Sequence, residues 1–328
     1  MNETHESSPK ADPFSAAKAV AAGVDFAELQ VGPHGLFWNE YRPEDGACRI
    51  WHWREGQAQC LTPAGFSVRS RVYEYGGGAF CLTDDGVVFV NEADQQLYRQ
   101  SLKGDTPEVL TSGECRYGDL QFAQGQVLAV EEHRDRHRLV AIDLQEGTCH
   151  LLAEGADFYA APTLSPDARR LAWIEWSRPH QPWTATRLMV AERQDDGCFA
   201  RARCVAGEGD DESLQQPRFD KSNRLFCLTD REGYWQPWVE SSNSLSPLPS
   251  AMADHGPAPW QLGGCTWLPL EEGHYLASWT EGGFGRLGLV GDHSEDFTGN
   301  YSRFRHLALD GQFIYCIAAS PVSPAAVI

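Results

Sequence analysis

The chain has 328 residues, 42% hydrophobic and 11% aromatic, a globular composition that excludes a disordered or low-complexity polymer. A formal net charge of −19 argues against a nucleic-acid backbone or an anionic membrane as partner. No apolar run approaches the roughly 20 residues of a membrane helix, and the opening "MNETHESSPK" lacks the apolar core of a secretory signal.

In chain order, residues 1–12 read as a disordered tail. Residues 13–24 contain "SAAKAVAAG", the one good helix candidate, with Ser15 at its N-cap and Gly23 as its stop. From 25 to 328 the pattern is strand. "GLFWNE", "GVVFVNE", "GQVLAVEE", "RLAWIEW", "RLFCLTD", "HYLASW" and "QFIYCIA" recur, each after a Gly, Asp or Asn turn signal. Their first apolar residues are Leu36, Val87, Val127, Leu171, Leu225, Tyr275 and Phe313, spaced by 51, 40, 44, 54, 50 and 38 positions. One four-stranded propeller blade takes about 40–50 residues. Within each period an inner strand comes first, then a turn such as "TDDG" or "SPDA", then the apolar strand, then a third strand. The expected fold is all-β, a seven-bladed β-propeller of four-stranded antiparallel blades. The last blade is expected to be incomplete, because "FIYCIAASPVSPAAVI" supplies no fourth strand, and the chain therefore reads as truncated.

"SRVYEYGGGAF", residues 70–80, stands out. Three consecutive glycines cost backbone entropy, so something there needs bare backbone. In the propeller register they open the inner strand of the second blade, where neighbouring backbones crowd the axis. Arg71, Glu74 and Tyr75 precede them, at the expected mouth of the channel. Two longer loops, "SRPHQPWTATR" at 177–187 and "AGEGDDESLQQ" at 206–216, belong at the rim. Trp183 and Trp235 lie near loops and join Arg71, Glu74 and Tyr75 as expected substrate-channel residues. The other tryptophans fall on strands, where packing between blades is the ordinary role.

Other signals carry less. His133 and His137 sit four apart in "EEHRDRH", which reads as a charged hairpin tip rather than a metal site. Asp210, Asp211 and Glu212 lack calcium-loop spacing and read as a solvated loop. The ten cysteines form no CxxC and read as reduced residues of a cytoplasmic protein. No metal and no cofactor is expected, since no glycine-rich phosphate loop opens a helix.

"SRVYEYGGGAF" resembles the "RVHEYGGG" phrase of the prolyl oligopeptidase family, in its acylaminoacyl-peptidase and dipeptidyl-peptidase-like branch. The likeness runs on through "YAAPTLSPDARRLAWIEWSRPHQPWTATRLMVA" and "ESLQQPRFDKSNRLFCLTDREGYWQPWV" and covers roughly residues 13–328. Tyr73 replaces a His of the family phrase, Ala168 a turn Gly, Gln181 a Met and Thr184 an Asp, while "FDKSN" has lost the Ser-Pro-Asp-Gly turn. The resemblance implies a propeller that admits peptides to a C-terminal α/β-hydrolase domain with a Ser-Asp-His triad. No G-x-S-x-G nucleophile elbow occurs here: the one Gly-x-Ser is "GFS" at 65–67, followed by Val68 and Arg69. Catalytic residues are therefore none, and the expected partners are a peptide and a hydrolase domain in cis or in trans. A stand-alone interaction scaffold is the alternative.

Overall fold

The computed structural model describes residues 15, 23–242 and 244–328. The tail at 1–12 and nearly all of the helix expected at 13–24 lie outside the described residues. Strands β1–β27 make seven consecutive antiparallel sheets. They are blade 1 (β1–β4, 25–60), blade 2 (β5–β8, 80–109), blade 3 (β9–β12, 116–154), blade 4 (β13–β16, 158–206), blade 5 (β17–β20, 214–247), blade 6 (β21–β24, 267–296) and blade 7 (β25–β27, 303–327). Six blades have four strands and the seventh has three.

The repeated apolar phrase is in every blade the second strand, from β2 (Gly35–Arg42) and β6 (Gly86–Val90) to β26 (Ile314–Ser320). A second strand is covered on both faces by the neighbouring blades, so it reads as a continuous apolar run rather than an alternation. Every residue of β6 and of β18 (Leu225–Thr229) is buried. Blades stack through these runs: Ala172, Ile174 and Trp176 of blade 4 meet Leu225, Cys227 and Trp238 of blade 5 in one cluster. Each fully buried aliphatic side chain there contributes about 1.5–3 kcal/mol.

Among the described residues the ring closes without a shared strand. Blade 1 is built from its own four strands, and Leu29, Leu36 and Trp38 pack on Ala308 and Ile317 of blade 7. One ion pair, Arg305 to Asp25 at 3.3 Å, crosses the same seam. The outermost strand of blade 7, β27 (Ser323–Val327), pairs with β26 on one side, and among the described residues no strand pairs with its outer edge.

This meander gives the disc two unlike faces. Turns between first and second strands and between third and fourth strands lie on one, the hairpin face. Turns between second and third strands and all blade-to-blade connections lie on the other, the connector face.

The inner strands are not regular. β1 (Asp25–Gly32), β9 (Arg116–Ala123), β13 (Phe158–Leu164), β17 (Leu214–Phe219) and β25 (Arg303–Leu309) each shift register along their length. Asp119, Ala161, Gln216 and His306 occupy the left-handed region there, with φ of 54°, 51°, 50° and 50°. Such bulges turn backbone groups away from the blade's own ladder and toward the next blade.

Candidate functional site

The axis holds a channel of about 1170 Å³ lined by the inner strands and by the connector leading into blade 6. Its wall is tied together from blade to blade at the bulges. Ala79 N–H donates to both oxygens of Glu28 (2.8 and 3.0 Å), linking blades 1 and 2. Asp119 and Leu120 N–H donate to the carbonyls of Gly77 and Gly78 (3.1 and 3.0 Å), and Ala161 N–H donates to Asp119 Oδ2 at 2.6 Å. Thr266 N–H donates to Gln216 Oε1 at 2.9 Å, and Leu307 N–H to the carbonyl of Cys265 at 2.8 Å.

Two carboxylates thus sit in the channel wall as acceptors of backbone N–H groups. Burial pushes Glu28 up to about 7, opposed by the N–H of Ala79 and helped by the charge of Asp119. Burial pushes Asp119 up to about 6, opposed by the N–H groups of Ala161 and Gly263 and by Arg218. His306 moves the other way, down to about 4, through burial and then the charges of Arg305 and Arg218. Between about pH 4 and 7 the folded chain keeps a proton on Glu28 that the unfolded chain has released. The associated stability is full below about pH 4 and is lost as the pH rises through about 7. Glu28→Gln keeps an acceptor oxygen and removes the titration. From pH 6 to 8 the urea midpoint of the parent should fall relative to that of Glu28→Gln; parallel midpoints would contradict the assignment.

The triglycine lies in the connector before β5 (Phe80–Leu82), not in the inner strand as the sequence suggested. The reason is backbone contact on both sides. A Cβ on Gly77 would stand 2.1 Å from the carbonyl oxygen of Leu262, and one on Gly78 would stand 2.3 Å from Cα of Asp119. Their φ values, 107° and 58°, are in the left-handed region as well. Leu262 belongs to the connector between blades 5 and 6, which crosses the channel mouth to reach this point. Gly77 and Leu262 form a parallel bridge, and Leu262 N–H donates to the carbonyl of Gly76 at 3.0 Å.

All five residues expected at the channel fall in segments of the connector face. Tyr75 is 61% exposed and meets the ring of Trp260 edge-on at 5.1 Å. Trp260, 51% exposed, lines the channel. Glu74 pairs with Arg116 at 2.6 Å, and Arg71 pairs with Glu92 at 2.9 Å, both at the surface. Trp235 lines the channel and donates its indole N–H to Ser213 Oγ at 3.1 Å. Trp183 is exposed on the loop after β14 (Arg170–Trp176), away from the channel wall. Tyr73, where the family phrase has His, is largely buried and braces Tyr159: its hydroxyl donates to the Tyr159 carbonyl and accepts the Tyr159 N–H, at 3.2 and 3.0 Å.

Two sequence readings change. Asp210 and Asp211 are exposed, but Glu212 is buried and accepts Gly207 N–H, the Thr229 hydroxyl and the Arg231 guanidinium. His137 is buried in the strand after the hairpin, its Nδ1 against the carbonyl of Asp157. Sequence reading missed Glu28, Asp119, Gln216, Trp260 and Leu262. The phrases "YAAP" and "LQQP", with Pro162 and Pro217 right after a left-handed residue, were the available signal for the bulges.

The connector face is also where apolar surface gathers. Among the described residues, thirteen large apolar side chains are exposed. Seven of them, Val24, Tyr75, Trp183, Tyr234, Met252, Trp260 and Val322, lie in turns and connections of this face, and Phe284 opens the strand that follows one of these turns.

No family model and no curated protein matches the sequence. Solved structures do. The chain is 31% identical to a puromycin-hydrolyzing peptidase of Mycobacterium tuberculosis, with a TM-score of 0.84 over 93% of this chain and 51% of that one. It is 26% identical to puromycin hydrolase, with a TM-score of 0.86 over 97% of this chain and 53% of that one. The β-propeller domain of the Trilobed protease from Pyrococcus furiosus, 9% identical with a TM-score of 0.60, shares the fold alone. The chain spans about half the length of the two puromycin-hydrolyzing relatives. Motif and architecture agree: the chain belongs to the prolyl oligopeptidase family, as a β-propeller domain of the kind those peptidases carry.

Proposed function

We propose that this propeller is the substrate-facing half of a serine peptidase, with a hydrolase-type catalytic module seated on the connector face and peptide held at the channel mouth. The observation that carries this reading is the gathering of exposed aromatic and aliphatic side chains on the one face where the blade connectors surround the channel. Arg71, Glu74, Tyr75 and Trp235 near the channel mouth contribute contact and filtering, and Trp183, away from the channel wall, contributes contact from its exposed loop on the same face. Hydrolysis itself requires a serine nucleophile and its histidine from the partner module. Substrates are short or unstructured peptides and their analogues, with puromycin worth testing because two relatives act on it.

The test joins the chain to a G-x-S-x-G hydrolase module sought in the same genome. The chain by itself should give no turnover of aminoacyl nitroanilides, acyl-peptides or puromycin, and the joined or mixed protein should. Tyr75→Ser with Trp260→Ser should weaken association of separately purified halves by tenfold or more, because buried aromatics dominate such interfaces. Absence of any G-x-S-x-G module in that genome, together with a monodisperse inert chain, would favour the scaffold reading.

A further inference from the structure

The connector at 254–266 reaches from blades 5 and 6 to the triglycine of the connector at 61–79 and lines the channel on the way. Its base is firmly held: His255 N–H donates to the Trp235 carbonyl at 2.8 Å, and Gln215 Nε2 donates to that of Pro257 at 3.0 Å. Asp254 bridges to Thr280 of blade 6. Beyond Pro257 the segment changes character. Ala258, Trp260, Gln261 and Gly264 are exposed, and Leu262 alone is buried, beside Val72.

The tip is held by few bonds. Leu262 N–H binds the Gly76 carbonyl, Gln261 Nε2 reaches the Tyr75 carbonyl at 3.4 Å, and Trp260 meets Tyr75 edge-on. Gly263 N–H faces the Asp119 carboxylate. Glycines flank the anchor, Gly256 before it and Gly263 and Gly264 after it. Segments with few buried contacts and exposed backbone bonds open with low free energy.

We infer that residues 257–264 form a latch across the connector-face mouth of the channel, shut on the triglycine by Leu262, and that it sets which chains pass. Resting on the peptide reading given above, this assigns the filtering step to one element. With the latch shut, the mouth is divided and a bulky occupant is excluded; with Leu262 withdrawn from beside Val72, the mouth is single and wider. Gly77 is required because a side chain there would strike the Leu262 carbonyl and hold the latch ajar.

Cys265, which lines the channel at the base of the latch, is a native reporter. Exposed Cys60 and Cys149 serve as reference thiols, and buried Cys81 and Cys227 report that the fold is intact. The 328-residue chain is labelled with a small maleimide and with a polymer-linked one, and each thiol is read by peptide mass spectrometry. In Leu262→Ala and Gly77→Ala, labelling of Cys265 by the bulky reagent should rise tenfold or more, with Cys60 and Cys149 unchanged and Cys81 and Cys227 unlabelled. Independently, in the unaltered chain the Leu262 amide should exchange with deuterium at least a hundredfold faster than the Leu228 amide inside blade 5. Core-like protection of Leu262, or Cys265 labelling indifferent to both substitutions, would overturn the latch. Both readouts need no catalytic module, so their failure leaves the docking of such a module standing, and failure of docking leaves them standing.

Discussion

Gly78→Ala should destabilise the propeller by roughly 3 kcal/mol or more, a loss visible as a large drop in urea midpoint at constant slope. Two costs coincide. The residue holds φ of 58°, which disfavours any side chain, and its Cβ would lie 2.3 Å from Cα and 2.6 Å from N of Asp119. Both atoms are backbone of the next blade's inner strand, which is locked by its own bonds to Gly77 and Gly78. Relief would require prising blade 2 from blade 3. Gly104→Ala is the matched control, since Gly104 has φ of 79° and nothing within 4 Å of its added Cβ. That variant should lose only about 1 kcal/mol. Equal losses at the two positions would show that conformation rather than close approach demands the glycine.

Arg231→Met should cost about 3–5 kcal/mol, the penalty for leaving a buried carboxylate without its counter-ion. Glu212 is 6% exposed, and Arg231 contacts both of its oxygens at 2.7 and 3.0 Å. Burial by itself would raise the Glu212 carboxyl, but the bonds from Arg231, Thr229 and Gly207 outweigh it and hold it below its ordinary value. A depressed carboxylate stabilises the fold above the unfolded value of about 4.3, and that contribution disappears as the pH falls through the folded value. Glu212→Gln should therefore remove part of the acid sensitivity below pH 4. In Glu212→Gln with Arg231→Met most of the loss should return, since no charge is left unpaired. A strictly additive double variant would mean that the two groups act separately.

The period was legible because the second strand of a blade is covered on both faces, so Val87–Val90 and Leu225–Leu228 had to be apolar at every position. The hairpin turns were legible because Asp and Gly closed them locally. What was not legible is contact between distant parts of the chain. Tyr75 and Gln261 are 186 residues apart, and nothing in "SRVYEYGGGAF" names Leu262 as the reason for its glycines. Glu212 was misread for a related reason. Its neighbours Asp210 and Asp211 are solvated, and its partner Arg231 lies beyond the next two strands. The Glu28 and Asp119 bulges escaped notice because an inward carboxylate breaks an apolar alternation without announcing which backbone amide it serves.

The outer edge of β27 has a geometric consequence. A strand laid antiparallel against it would travel from the hairpin face back to the connector face and emerge on the side where Val24 leads into β1. Both leads of the disc would then leave from a single side, like the two pins of a hinge.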